Sequence, residues 1–274
     1  MADAVNELVE RARGGDAAAL DRLVRSIEGD VYNLAVRMLW HPTDAEDATQ
    51  EILIKVVTNL GGFRGESALR TWVFRVAANH LLTTRRRRAE RPELNFAAFG
   101  DDLAEGLDTP YDARVDERLL EEEVKVGCTQ GMLLCLDREH RLAYVLGEIF
   151  ELPGEQAATV LETTPAAYRK RLSRARERIQ SFMRGNCGIV NPANPCRCRR
   201  RIGRAIELGR VDQSNLLFAA RTTDAVRRGV DDMERLQDAA AVFRSHPTYT
   251  APERLADRLA ELLASGRYPL LSEE

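Results

Sequence analysis

Two kinds of side chain in this sequence could do chemistry at short spacing: guanidinium groups massed in three runs, and a group of thiols late in the chain. Residues 85–91 hold five arginines, residues 169–178 hold six basic side chains, and residues 197–204 hold five arginines with no acid among them. A planar guanidinium can pair bidentately with guanine and can also hold phosphate oxygens, so such runs suit an anionic partner when a fold aims them outward. Cys187, Cys196 and Cys198 could place three thiolates around one tetrahedral Zn²⁺, with Cys128, Cys135 or His140 as fourth ligand if the chain folds back there. The flanking Arg197 and Arg199 are expected to lower the thiol pKa, which favours metal binding and oxidation equally. Cys128 and Cys135, seven residues apart on one helical face, also read as small buried apolar residues. The spacing matches no standard zinc pattern, so metal, redox sensing and plain structure all stay open, and no cofactor is required. An odd total of five cysteines speaks against a disulfide framework.

The elements that must position these groups read as helices throughout. After a polar N-terminal helix, Leu20, Leu23, Val24, Ile27, Val31, Leu34, Ala35, Met38 and Leu39 recur at three- and four-residue steps, which predicts one long amphipathic helix stopping near His41-Pro42. Thr43 or Asp44 is expected to cap a second helix with Ala45, Ala48, Ile52, Val56 and Leu60 inward and acids outward. A third helix, Leu69 to Leu81, runs into the arginines at 85–88, and the three make a first domain, residues 1–90. Residues 91–114 lack helical period and read as a linker. Periodicity returns at Val115 and builds a second helical domain, residues 115–184. There a short helix ends near Leu161, the turn Glu162-Thr163-Thr164 follows, and Pro165 opens a helix to Phe182: a helix-turn-helix pattern. Residues 185–274 form a cysteine-bearing extension: a knuckle with Gly188, Pro192 and Pro195, helix from Ile202 to about Phe243, and a last helix opened by the capping box Thr250-Ala251-Pro252-Glu253. The fold class is all-α.

On the helix after Pro165, Tyr168, Leu172, Ala175 and Ile179 share an apolar stripe. That leaves Arg169, Lys170, Ser173, Arg174 and Arg176 outward, Arg171 at the edge and Thr164 at the helix start, as a major-groove helix needs. The run Arg85, Arg86, Arg87, Arg88 reads either as a basic tail or as a phosphate-binding helix end. Trp72, Phe74 and His80 precede it and could stack on an unpaired base, although Trp72 also fits the apolar stripe of its helix.

A net charge of −3 conceals this segregation, with the balancing acids gathered at 44–51, 101–123 and the C-terminus. No phosphate-binding glycine loop, nucleophile elbow or His-Glu zinc-protease pattern occurs, so catalysis has no anchor. No run of about 18 apolar residues and no basic, apolar leader occurs, so a cytoplasmic protein with no membrane partner is expected.

The order and wording of these segments, over about residues 15–183, resemble the extracytoplasmic-function sigma factors. Asp44-Ala45-Glu46-Asp47-Ala48-Thr49-Gln50-Glu51 resembles the acidic helix of region 2, which implies that Asp44, Glu46, Asp47, Gln50 and Glu51 meet core RNA polymerase. Phe63-Arg64-Gly65-Glu66-Ser67 with Arg70-Thr71-Trp72-Val73-Phe74-Arg75-Val76-Ala77-Ala78-Asn79 is similar to the segment that reads and opens the −10 element. The resemblance thus implies promoter DNA contacts from Arg64, Arg70, Trp72, Arg75, Asn79, His80 and the four arginines 85–88. Leu136-Asp137-Arg138-Glu139-His140-Arg141 through Tyr168-Arg169-Lys170-Arg171-Leu172-Ser173-Arg174-Ala175-Arg176 is similar to region 4, which reads the −35 element. The turn at Glu162-Thr163 lacks the family's usual glycine. No anti-sigma factor can be named from the sequence. The alternative is a metal- or thiol-sensing helix-turn-helix regulator that binds operator DNA without polymerase, and such a regulator has no use for the acidic helix at 44–51.

Overall fold

A computed structural model of the chain describes residues 2–83, 94–219, 239–244, 246, 248–252 and 255–264. Regular structure there is helical: α1 Ala2–Arg13, α2 Ala17–Leu39, α3 Pro42–Thr58, α4 Leu69–Thr83, α5 Phe96–Ala104, α6 Glu117–Leu134, α7 Arg138–Tyr144, α8 Gly154–Val160, α9 Pro165–Asn186, α10 Ile202–Glu207, α11 Ala239–Arg244 and α12 Leu255–Ala264. Among the described residues, β-type pairing is limited to an isolated parallel bridge between Cys187 and Cys196. The contacts divide the chain into two compact units. One takes in the N-terminal helices, Pro153–Tyr168 and the segment from Tyr249. The other takes in the chain up to Leu152 that follows, and Arg169–Thr248.

In the first unit α2 begins where Asp16 accepts the Ala19 amide at 3.0 Å, a side-chain cap that Arg11 reinforces from 2.6 Å. Its stripe of Leu23, Val31, Leu34 and Ala35 is fully buried against α3 and α4. α3 starts differently from expectation: His41 stands at the cap without a side-chain bond and Pro42 occupies the first turn, where its missing N–H costs nothing. α8 packs on α4, and α12 packs on α2 and α3 with Leu255, Ala256 and Leu259 buried. Asn33, inside α2, accepts the Tyr249 amide at 2.8 Å and donates to its carbonyl at 2.7 Å, while Arg37 lies 4.7 Å over the Tyr249 ring. The last helix was expected, but Glu253 of its capping box lies outside the described residues.

The second unit corrects two readings. The stretch 91–114, expected to be an aperiodic linker, carries α5, which Asn95 caps through the Ala98 amide at 3.0 Å. Phe96 and Phe99 of α5 lie 5.2 and 5.6 Å from the Phe182 ring, so burial of aromatic surface holds this short helix. The long helix expected from Ile202 to Phe243 stops at Glu207, and a turn follows in which Arg210 and Val211 donate to the Ala205 carbonyl. Its apolar residues instead close a core: Ile202, Ala205 and Val211 pack on Leu120 and Val124 of α6, with Cys198, Tyr111 and Val115 around them. Buried Glu123 accepts the amides of Leu217, Phe218 and Ala219 at 2.8 to 2.9 Å, which ends that turn on α6.

Candidate nucleic-acid interface

The acidic residues of α3 stand where helix geometry predicts. Asp47 and Glu51 are exposed, Asp44, Glu46 and Gln50 are half-exposed, and Asp44 lies in the first turn, where the helix dipole favours a negative charge. Glu51 also reaches the His80 ring at 3.5 Å, and Lys55 Nζ lies 2.9 Å from His80 Nδ1. His80 is therefore buried between α3 and α4, at 4% exposure, and Trp72, at 6%, packs on Phe63 at 5.7 Å. Both rings belong to the core in this conformation, while Arg64, Arg70 and Asn79 are exposed and Arg75 is half-buried. Arg70 is occupied: it donates to Asp30 at 2.6 and 3.2 Å and lies 4.9 Å over Phe74. Arg85, Arg86, Arg87 and Arg88 lie outside the described residues. One positioning residue was missed. Arg13 of α1 donates to the carbonyls of Leu60, Gly61 and Phe63 and so fixes the loop that carries Arg64. These bonds span 47 to 50 residues, beyond any local pattern.

On α9, Thr164 accepts the Ala167 amide at 3.2 Å and opens the helix. Tyr168, Leu172, Ala175 and Ile179 are buried as the stripe required, and Arg169, Lys170, Ser173, Arg174 and Arg176 are exposed. The cations fall into two sets. Arg171 pairs with Glu139 at 2.8 Å, Arg176 donates to Glu148 at 2.6 Å, and Arg178 lies 3.6 Å from Asp137. Among the described residues Arg169, Lys170 and Arg174 have no acidic partner. Asp137, which caps α7 through the His140 amide at 3.0 Å, and Arg141, which holds the Leu133 and Leu136 carbonyls, fix the α6–α7 corner that presents Asp137 and Glu139.

A family model described as sigma-70 region 2 matches residues 23–91. The RNA polymerase sigma-H factor of Pseudomonas aeruginosa is 34% identical over 182 residues, 65% of this chain and 92% of that protein. The ECF RNA polymerase sigma-E factor of Escherichia coli is 30% identical over 178 residues, 64% of this chain and 91% of that one, and the ECF RNA polymerase sigma factor SigW of Bacillus subtilis is 28% identical over 187 residues, 66% and 97%. The chain belongs to the extracytoplasmic-function sigma factors. Membership favours this reading over the regulator that works without polymerase. Among the described residues of the sigma factor, no helix is long and apolar enough to cross a membrane.

The third arginine run of this sigma factor is matched by acids and carbonyls of the chain itself, with Arg201 buried and Arg199 exposed. Arg199 pairs with Glu117 at 2.6 Å, Arg200 holds Asp108 with two contacts at 3.0 Å, and Arg210, just beyond the run, pairs with Asp102 at 2.6 Å. Arg201, 4% exposed, donates to the Glu105 carbonyl and lies 3.2 Å from Asp102. Arg197 closes the knuckle by donating to the carbonyls of Pro192, Asn194 and Cys196, passing over Gly188, where any β-carbon would lie 1.4 Å from its guanidinium. Asn191 and Asn194 both donate to the Arg184 carbonyl at 2.9 Å, capping α9.

All five cysteines are free thiols. The expectation that Arg197 and Arg199 depress their pKa is overturned for Cys196, because burial pushes that thiol up and outweighs Arg201, Arg197 and Arg200. Burial likewise raises Cys128 and Cys198, and it pushes Cys135 up to about 12. Among the described residues, no three His, Cys, Asp or Glu side chains are already drawn together at metal-holding distance.

Proposed function

We propose that this sigma factor joins core RNA polymerase through the acidic face of α3, on which Asp44, Asp47 and Glu51 recur at three- and four-residue steps beside Glu46 and Gln50. Arg64, Arg75 and Asn79, with the arginines at 85–88, meet the −10 element; Trp72 and His80 support that surface from beneath. The upstream −35 duplex is read by α9. The observation that carries this last reading is the face of Arg169, Lys170 and Arg174, exposed and, among the described residues, unmatched by acid, opposite a fully apolar stripe. Ser173 and Thr164 add neutral donors on the same helix. Such a protein orients a polymerase and melts DNA through binding energy alone, forming and breaking no covalent bond, so we read it as a non-enzymatic initiation factor of the cytoplasm. The chain beyond Gly185 regulates from within: Tyr249 and α12 support this reading by their seat on α2 and on α3, the helix that carries the polymerase-facing acids.

Run-off transcription with purified bacterial core polymerase, on DNA from upstream of the protein's own gene, tests the assignment. Lys170→Glu with Arg174→Glu should cut specific transcript at least about tenfold, since each lost bidentate or phosphate contact is worth roughly 1–3 kcal/mol, while retaining polymerase binding. Asp47→Lys should lose the polymerase and the transcript together. Full transcription from the α9 variant would refute the duplex-reading role.

A further inference from the structure

Three of the five thiols sit in the knuckle of the second unit, and a fourth, Cys128, lies along the α6 stripe against which Cys198 packs. Cys187 and Cys196 run side by side through the parallel bridge, with the Gly188 amide donating to the Cys196 carbonyl at 3.0 Å. Cys198 follows two residues later and packs on the core of Leu120, Val124 and Ile202. Leu120, Val124 and Cys128 succeed one another at four-residue steps along α6, so Cys128 continues the stripe that receives Cys198. After burial itself, the strongest influences on the Cys128 thiol are those of Cys198, Cys187 and Cys196. The structure thereby chooses among the candidates for a fourth group. Cys135 has Arg141 as its charged neighbour rather than another thiol, and His140 is bound to Asp137 at 2.7 Å.

The charges around the four are also suited to a negative centre. Buried Lys125 acts on Cys198, and buried Arg201 acts on Cys128 and Cys196, with Arg197 and Arg200 nearby; Glu121 is the acid that faces Cys198. A tetrathiolate around a divalent ion carries two negative charges, which buried Lys125 and Arg201, the latter shared with Asp102, offset in part. Burial keeps protonated the thiols of Cys128, Cys196 and Cys198. That protects them from oxidants, which attack thiolates, but does not prevent a metal from displacing the proton.

We propose that Cys128, Cys187, Cys196 and Cys198 bind a single soft divalent metal ion, and that zinc is the ion they take. Loading draws the four sulfurs in to about 2.3 Å from the metal, forms four metal–sulfur bonds and releases four protons to solvent. Because protons compete with the metal, affinity rises with pH. The knuckle that carries three of these ligands also carries Arg199, Arg200 and Arg201, so the metal consolidates the segment that grips Asp102, Asp108 and Glu117.

The test is an anaerobic Co²⁺ titration of the full-length, reduced, metal-free protein, followed by Zn²⁺. Expected are a one-to-one endpoint, the intense visible bands of tetrahedral cobalt, thiolate-to-cobalt charge transfer in the near ultraviolet, proton release into weak buffer, and loss of the colour on adding Zn²⁺. Cys128→Ser and Cys198→Ser should each weaken Co²⁺ binding by more than the roughly tenfold that loss of an outer-shell partner costs, and Cys135→Ser should leave it unchanged. Absence of tetrahedral bands in the unmodified protein overturns the site, whatever the variants do. An undiminished titration in a folded Cys128→Ser protein overturns the four-thiol assignment.

Discussion

Residues 169–178 and 197–204 carry similar densities of positive charge, and their surroundings divide them. In the second run Arg199, Arg200 and Arg201 each meet an acid from the stretch between Asp102 and Glu117, and Arg197 is spent on backbone carbonyls. In the first run three cations are held by Glu139, Glu148 and Asp137, and three stand exposed with no acid beside them among the described residues. The role of an arginine run is thus decided by acids placed far away in sequence. What remains unmatched at the surface is what a nucleic acid can take up.

The sharpest way to break the comparison is to remove one cation from each run and measure urea unfolding of the full-length protein. Arg201 is buried and satisfies both the Glu105 carbonyl and Asp102. Arg201→Ala should cost about 2 kcal/mol, because a buried side chain is lost and the Glu105 carbonyl loses its charged donor, while Arg210 still holds Asp102. Arg174→Ala should change stability by less than about 0.5 kcal/mol. Equal losses would mean that the two runs do the same structural work.

Much of this was legible locally. The buried stripes of α2 and α9 follow the three- and four-residue periodicity, and the turn-formers of the knuckle sit where the chain does turn. α5 was missed although Phe96, Phe99 and Leu103 have helical spacing, because Gly100 and the adjacent aspartates are turn signals. The glycine is there for contact, since a β-carbon on it would lie 3.3 Å from Asn186 Oδ1. The arginine pairs were illegible for another reason: their partners are 82 to 99 residues away, and only the fold joins them. The missing glycine in the helix-turn-helix was legible and has a physical trace. Glu162 adopts φ +49°, the left-handed region, where a β-carbon is unfavourable. Glu162→Gly should therefore stabilise the protein by about 0.5–1 kcal/mol, the relief of strain less the entropy glycine adds to the unfolded chain. A loss of stability in thermal unfolding would show that the Glu162 side chain contributes more than its backbone costs.

The smallest effect would move a residue from one class to the other. Arg176 shares a stripe of α9 with Arg169 and Ser173, at steps of four and three residues, yet its guanidinium is turned onto the largely buried carboxylate of Glu148. Glu148→Gln removes that charge and leaves the backbone carbonyl of residue 148 to accept from Arg244 at 3.0 Å, so the segment after α7 keeps that contact. Arg176 is then available to a phosphate. Affinity for duplex DNA of arbitrary sequence should rise roughly three- to fivefold, and its log–log salt dependence should steepen by about 0.9, the counterion released by one more contact. Preference among promoter sequences should stay the same, because a phosphate contact carries no base information. If the salt slope does not move, Arg176 lies outside the DNA footprint, and the reading face of α9 narrows to Arg169, Lys170, Ser173 and Arg174.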